Sequence, residues 1–333
     1  MTSKHLLLDP SDTRPASTRQ TSPTTRFRPS GGLVDHDSEQ HAVLTFIGTA
    51  TTLLQYGPLT ILTDPNFLHA GDHVHLGPGV TATRTTKPSM DLDHLPHIDL
   101  VLLSHYHEDH FDKQVEDALR RDIPIITTPH AKSCLVDNRA EVERFSSVLE
   151  LDTWDTARVN VKDNDMHVEI TAAPGKHVPP GALEKINDML GAVPPVNGWV
   201  IELSSSAATT DLVRIYITGD TLLIDDLVQI PERYSKAGRP IHLMLAHLGG
   251  TTIPSPRLPM LMVTMDAKMG VDLIKLVDPD ITIPIHFDDY DVFASPLDDF
   301  RIEVEKAGLK DRVVFLGRGE TYSVRATQRP VSV

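Results

Sequence analysis

The chain has a single cysteine, Cys134, in 333 residues. No intrachain disulfide can form, which suits a reducing compartment. Aromatic residues are scarce, at 5%. Positive charge is in deficit: 31 Lys and Arg stand against 46 Asp and Glu, a formal charge of −15. Such a chain repels polyanions and anionic lipid surfaces, so neither nucleic acid nor a membrane is expected as a partner. No run approaches the roughly 18 apolar residues of a membrane span, and the leucines at 6–8 are too few for a signal-peptide core. The cytosol is the expected location. No short-period repeat is visible. What remains is a globular composition, 40% hydrophobic and 23% charged, in a length that fits one large domain or two fused halves.

Residues 1 to about 40 are rich in Ser, Thr, Pro, Arg and Asp without apolar periodicity, and predict a flexible N-terminal arm. From Ala42 onward short apolar runs predict strands over 42–48, 51–56 and 59–63, a meander. Residues 66–90 carry Gly, Pro and three His without a period and predict a long loop. The run 98–103 is continuously apolar, as in a strand buried on both faces. A helix over 111–120 and a strand over 123–127 follow. Five more strands are expected at 148–151, 157–161, 166–172, 198–203 and 213–218. The last third alternates: helices at 222–229, 265–277 and 297–307, strands at 241–246, 281–285 and 313–316. Two strand-rich halves, each with helices, predict two mixed sheets packed face to face with helices outside, an αββα sandwich.

The chemistry concentrates in Ser104-His105-Tyr106-His107-Glu108-Asp109-His110. These residues follow an apolar strand and precede a helix. Residues two apart on an extended segment project to one side, so His105 and His107 face one metal together. The turn into the helix carries Asp109 and His110 toward a second. Imidazole and carboxylate are good ligands for divalent ions. A lone loop histidine is most often merely solvated, but three His and two acids at this density are not. Three further candidates stand after predicted strands: His177, Asp220 and His286. Alone, a Gly-Asp after a strand is a turn and a His after a strand is a surface residue. Together they supply what two metal positions still need.

This pattern resembles the metallo-β-lactamase superfamily, whose mark is His-X-His-X-Asp-His followed by separate His, Asp and His ligands. The likeness extends over residues 42–318. The branch it most resembles holds ascorbate-phosphate lactonases and N-acyl-phosphatidylethanolamine phospholipases D. Carrying that likeness are Phe46-Ile47-Gly48-Thr49-Ala50-Thr51, Leu62-Thr63-Asp64-Pro65, the stretch from Leu95 to His105, and Thr264-Met265-Asp266-Ala267 leading to Pro284-Ile285-His286. The resemblance implies one hydrolase domain of metallo-β-lactamase fold over 41–333. It implies that His105, His107 and His177 bind a first metal, that Asp109, His110 and His286 bind a second, and that Asp220 bridges both. Zinc is the expected ion, with manganese and iron as alternatives. Tyr106 and Glu108 depart from what many relatives carry, and the Pro-rich stretch 253–259 looks like an insertion.

Two ions about 3.5–4 Å apart can share a water and lower its pKa toward neutrality. The resulting hydroxide attacks the substrate, with Asp109 orienting it. Asp64 either supports a ligand histidine from behind or makes an Asx turn before Pro65. His247, after a predicted strand, is expected at the mouth of the site as a proton or hydrogen-bond donor, against the plain reading of a turn histidine. His69, His73 and His75 read as solvated loop residues. His130 reads as a helix-start residue away from the metals. Met260, Leu261 and Met262 form either a pocket wall or part of the core. Three substrate classes compete. Nucleic acid is disfavoured by charge, and a lipid phosphodiester by the lack of a basic or amphipathic membrane-binding segment. A small cyclic amide or ester, a lactam or lactone, is the leading expectation. Some fungal relatives, similar in outline, open xenobiotic lactams such as benzoxazolinones. A metal-binding scaffold without turnover is the alternative of a different class. The sequence does not set the oligomeric state.

Overall fold

The computed structural model describes residues 2–20, 41–77, 79–191, 193–206, 209, 211–255 and 258–326. The first half of the chain contributes strands β1 (Ser3–Leu8), β2 (Ala42–Gly48), β3 (Thr51–Tyr56), β4 (Leu59–Thr63), β5 (His73–His75), β6 (Thr81–Thr83), β7 (Leu100–Leu102), β8 (Ile125–Thr127) and β9 (Val148–Glu150). The second contributes β10 (Thr156–Val161), β11 (His167–Ala173), β12 (Gly198–Ser204), β13 (Val213–Ile217), β14 (Leu243–His247), β15 (Thr252–Ser255), β16 (Leu258–Met262), β17 (Ile281–Ile285) and β18 (Thr321–Val324). Helices α1 (Lys113–Ala118), α2 (Pro129–Lys132), α3 (Ala182–Leu190), α4 (Gln229–Arg233), α5 (Ala267–Val277) and α6 (Leu297–Lys306) lie between them.

Two seven-stranded sheets result, in the orders β18-β2-β3-β4-β7-β8-β9 and β1-β10-β11-β12-β13-β14-β17. Both are mixed. In the first, β18 to β4 are antiparallel and β4, β7, β8 and β9 run parallel. In the second, β10 to β13 are antiparallel while β13, β14 and β17 run parallel. This is the expected αββα sandwich. The two-residue period of a strand sorts its side chains. Leu100 and Leu102 join the core shared with Phe46, Leu54, Val159 and Ile215 of both sheets. Val101 and Leu103, on the other face, pack with Phe111, Val115 and Ala118 around α1. Helix α1 starts where it does because the Asp112 carboxylate accepts the Val115 N–H at 2.9 Å. Asp266 caps α5 in the same way through the Met269 N–H, at 2.8 Å.

Four expectations need correction. The flexible arm over 1–40 fails for its first part: β1 pairs in parallel with β10 over six residues, and Leu8 is buried in the main core. Beyond it, Ala16 is buried against the α1 face and Thr18 donates its backbone N–H to the Ala118 carbonyl. Three consecutive leucines at the end of β1 are too short a signal to separate it from the polar stretch that follows. Residues 21–40 lie outside the described residues. The loop 66–90 contains the hairpin β5–β6, held by a small core of Leu68, Val74, Leu76, Ala82, Tyr290 and Val292. The strand expected at 313–316 is a single bridge from Val313 to Thr282, and the strand that completes the sheet edge is β18. The helix expected at 222–229 is a 3-10 turn, Asp225–Val228, running into α4. The stretch 253–259 belongs to the hairpin β15–β16, of which residues 256 and 257 lie outside the described residues.

Candidate metal centre

The seven residues expected as ligands come together where strands of the two sheets end. His105 follows β7, His177 follows β11, Asp220 follows β13 and His286 follows β17. Ligand atoms of Asp109, His110, Asp220 and His286 lie within 4.8 Å of one another, as do those of His105, His177 and Asp220, and those of His105, His107 and Asp109. Asp220 belongs to both of the first two groups, and Asp109 joins the first to the third. All but His107 are buried.

The tautomers follow from what lies behind each ring. His177 donates Nδ1–H to the Val263 carbonyl at 2.9 Å, and His286 donates Nδ1–H to the Leu248 carbonyl at 3.1 Å. The Nδ1 of His110 faces Asp64 Oδ2 at 3.2 Å. The Nδ1 of His105 lies 2.9 Å from the Ser104 hydroxyl. A proton on each Nδ1 leaves the Nε2 lone pair pointing inward. There, His105 Nε2 and His177 Nε2 face each other at 3.0 Å, a pair in which neither has a proton to give. His110 Nε2 lies 3.2 Å from Asp220 Oδ2, and His286 Nε2 lies 3.5 Å from both Asp109 Oδ2 and Asp220 Oδ2. Among the described residues His107 Nε2, Asp220 Oδ1 and His286 Nε2 are buried here without a hydrogen-bond partner, while His107 Nδ1 and Asp109 Oδ1 lie 3.0 Å apart. Converging lone pairs and an orphaned carboxylate oxygen are what a bound cation satisfies. The donor set of imidazole and carboxylate fits a divalent transition metal.

The electrostatics divide the rings: against burial, nearby carboxylates raise His110 and His286, while burial lowers His105 and His177. Burial, with the neighbouring His110 and His177, holds His105 well below the usual histidine range. Burial also lowers His177, to about 4. Burial opposes charge on His110 as well, but the Asp220 and Asp109 carboxylates outweigh it and hold that ring well above its ordinary value. Burial likewise works against the Asp109 and Asp220 anions, and the surrounding imidazoles keep both well below the carboxylate range.

Asp64 does more than turn the chain before Pro65. Its Oδ1 accepts the Ser104 N–H at 2.7 Å while its Oδ2 faces His110, so one carboxylate aligns two residues of the ligand segment. It holds φ +37° to do so. His286 is likewise left-handed, at φ +59°, pinned by its N–H to the Thr49 carbonyl and by the Phe293 ring 4.6 Å away.

His247 is not at the mouth. It is fully buried, with Nε2 3.7 Å from Asp64 Oδ2 and Nδ1 3.2 Å from the Thr218 hydroxyl, and its ring stacks on His110 at 5.9 Å. It therefore stands behind His110, on the Asp64 side. A strand end gave its position along the chain but not which way the ring turns. His69, His73 and His75 are exposed, beside Asp91, Thr83 and Thr81 respectively. His130 is an exposed residue of α2. Leu261 and Met262 are half-buried, and the side chain of Met260 lies outside the described residues. Tyr106 donates to Glu116 at 2.6 Å and accepts from Arg139 at 2.7 Å, bracing the segment between His105 and His107. The Glu108 carboxylate accepts the His75 N–H at 2.6 Å and so docks the hairpin β5–β6.

The sequence reading missed a buried polar hub. Asn66 Nδ2 donates to the Glu108 carbonyl at 3.0 Å and to the Tyr290 hydroxyl at 2.8 Å, while Arg84 donates to Asn66 Oδ1. Arg84 and Arg318 both lie 3.0 Å from Asp289 Oδ1, and Asp289 Oδ2 accepts the Thr49 N–H at 2.9 Å. The hub thus reaches the ligand segment through Glu108 and the His286 turn through Thr49. Gly48 makes room for it, since a Cβ there would meet both guanidinium groups at 3.3 Å. These residues lie in charge-rich loops, and nothing in their spacing marks them as buried.

The β-lactamase superfamily domain model matches residues 60–287. An Archaeoglobus fulgidus protein named UPF0173 metal-dependent hydrolase is 27% identical over 84% of this chain and 97% of its own length. The mitochondrial N-acyl-phosphatidylethanolamine-hydrolyzing phospholipase D of Saccharomyces cerevisiae is 31% identical over 58% of this chain but only 37% of its own. Among solved structures, an isothiocyanate hydrolase from Delia radicum gut bacteria superposes with a TM-score of 0.67 at 20% identity, over 85% of this chain and all of that one, which shows the fold alone. With the family model spanning most of the chain and the ligand cluster inside it, the chain belongs to the metallo-β-lactamase superfamily and stands among its metal-dependent hydrolases.

Proposed function

We propose that this chain is a dinuclear metallo-hydrolase that opens a small cyclic amide or ester. The observation that carries the reading is the sharing of Asp220 between two convergent groups of ligand atoms. His105, His107 and His177 would hold one divalent ion, Asp109, His110 and His286 the other, and Asp220 both. Such ions, zinc first among them, would supply Lewis acidity and lower the pKa of water. Asp109, kept ionised by its neighbours and braced at Oδ1 by His107 Nδ1 at 3.0 Å, would orient the attacking water. Asp64, Ser104 and the Val263 and Leu248 carbonyls hold the imidazoles in the tautomer that points Nε2 inward. His247 positions Asp64 and does not touch substrate.

A second reading, phosphodiester cleavage, draws on the likeness to the yeast phospholipase D. Elemental analysis of the purified protein, paired with assays on a lactone, a lactam and bis(p-nitrophenyl) phosphate, separates the readings. About two metals per chain with ring opening is the expected result. Phosphodiester cleavage alone would favour the second reading, and metal without any turnover would favour a scaffold. A protein that binds no metal sinks the assignment. His107→Ala should lose metal and activity while keeping its circular dichroism spectrum.

A further inference from the structure

The buried hub of Asn66, Arg84 and Asp289 meets the ligand cluster at two points, and both lie in the same group of ligands. At the first, Asn66 Nδ2 donates to the Glu108 carbonyl at 3.0 Å. That carbonyl belongs to the planar peptide unit joining Glu108 to Asp109, so the bond fixes the plane from which Asp109 departs. At the second, Asp289 Oδ2 accepts the Thr49 N–H at 2.9 Å, and the Thr49 carbonyl accepts the His286 N–H at 2.9 Å. Thr49 and His286 are both left-handed, at φ +53° and +59°. Such a backbone in residues other than glycine persists only where its surroundings hold it. Asp289 holds one end of this bonded pair.

Arg84 joins the two points. Its guanidinium, fully buried, donates to Asn66 Oδ1 at 2.5 Å and lies 3.0 Å from Asp289 Oδ1. With Oδ1 taken by Arg84, the Asn66 amide is turned so that Nδ2 faces the Glu108 carbonyl and the Tyr290 hydroxyl. A planar fork can span both partners, and a single ammonium cannot. Asp109 and His286 converge with His110 and Asp220. The group of His105, His177 and Asp220 is anchored elsewhere, at the Ser104 hydroxyl and the Val263 carbonyl.

Resting on the dinuclear reading above, we propose that Asn66, Arg84 and Asp289 are positioning residues for one metal position alone. They set the spacing of Asp109 and His286, and with it the affinity for the ion those two share. The ion at His105 and His177 does not depend on them.

The test titrates metal-free protein with cobalt(II) against a chromophoric chelator, which gives a Kd for each ion. Asn66→Asp is nearly isosteric: it keeps an acceptor for Arg84 and puts an oxygen where the donor to Glu108 stood. It should raise one Kd about tenfold or more and the other by less than about twofold, the range expected when the partner of a ligand is removed. Arg84→Lys takes the same reading from the other side of the hub if the first variant does not fold. Proton NMR of the cobalt-loaded protein shows which ion is affected. The Nδ1–H signals of His177 and His286 are identified by their loss in His177→Ala and His286→Ala. In Asn66→Asp the His286 signal should shift or vanish while the His177 signal persists. A merely structural role would lower Tm without favouring either ion. In a folded variant, unchanged Kd values, equal changes in both, or a change confined to the His177 ion would overturn the proposal. A wild type that binds a single ion would sink the dinuclear reading. The proposal then survives if Asn66→Asp still weakens that ion about tenfold and moves the His286 signal, and falls otherwise.

Discussion

His247 shows how far a residue's chemistry depends on the direction its ring faces. Buried between Thr218 and Asp64, it could reach the candidate metal site only through another side chain. His247→Ala should retain bound metal yet lower turnover roughly 10–100-fold. His247→Gln, which can still donate toward Asp64, should recover part of the loss, whereas a purely space-filling role would be rescued equally by His247→Leu. Asp289 is the other position where one side chain decides much. Burial disfavours its charge, but Arg84 and Arg318 outweigh burial and hold its pKa below the ordinary 3.8. Removing it in Asp289→Ala leaves two guanidinium groups facing an apolar side chain. Denaturant unfolding should read a loss of about 3–5 kcal/mol. Because the folded value is depressed, the contribution is complete above pH ~4 and disappears as pH falls through the folded value. Stability should therefore fall less steeply with acid in Asp289→Asn than in the wild type. The sequence could single out the seven candidate ligands because each stands near a strand end or ahead of a helix, where the local pattern is strong. The hub could not, since Asn66, Arg84 and Asp289 meet only through the tertiary fold.

Among the elements, the long apolar strands and α5 were legible because burial imposes a clear period on them. In α5 that period is Val271, Ile274 and Val277. Four short strands were not: β1, β5, β6 and β18 lie at edges or in a small hairpin and expose one face, so burial imposes little pattern on them. Composition alone predicts that deleting residues 1–35 leaves folding unchanged. The structure reverses this. Leu8→Ala should cost about 2–5 kcal/mol, read from the melting transition. Deleting residues 1–12 exposes the ladder of β10, and the product should aggregate, since an unpaired edge templates further strands. A soluble deletion with an unchanged melting temperature would refute the role given to β1.

Across the whole molecule, the candidate ligands come from both sheets, His105 to His110 after β7 of one and His177, Asp220 and His286 from the other. A cation held between them would bind the folded chain and not the unfolded one, so chelation should lower the melting temperature and zinc should restore it. At a hundredfold excess over Kd the stabilisation is about 2.7 kcal/mol. The pairing of β1 with the second sheet and of β18 with the first also sets a timetable. During synthesis β1 is finished long before β10, since Thr2 meets Asp155 at a sequence separation of 153, and one edge of β2 must wait for β18. β1 thus waits for the middle of the chain, and β2, though paired at once with β3, keeps its other edge open until β18 is made. On the ribosome the growing chain carries open edges until its final strand emerges, and the nascent protein is at its most aggregation-prone just before it is complete.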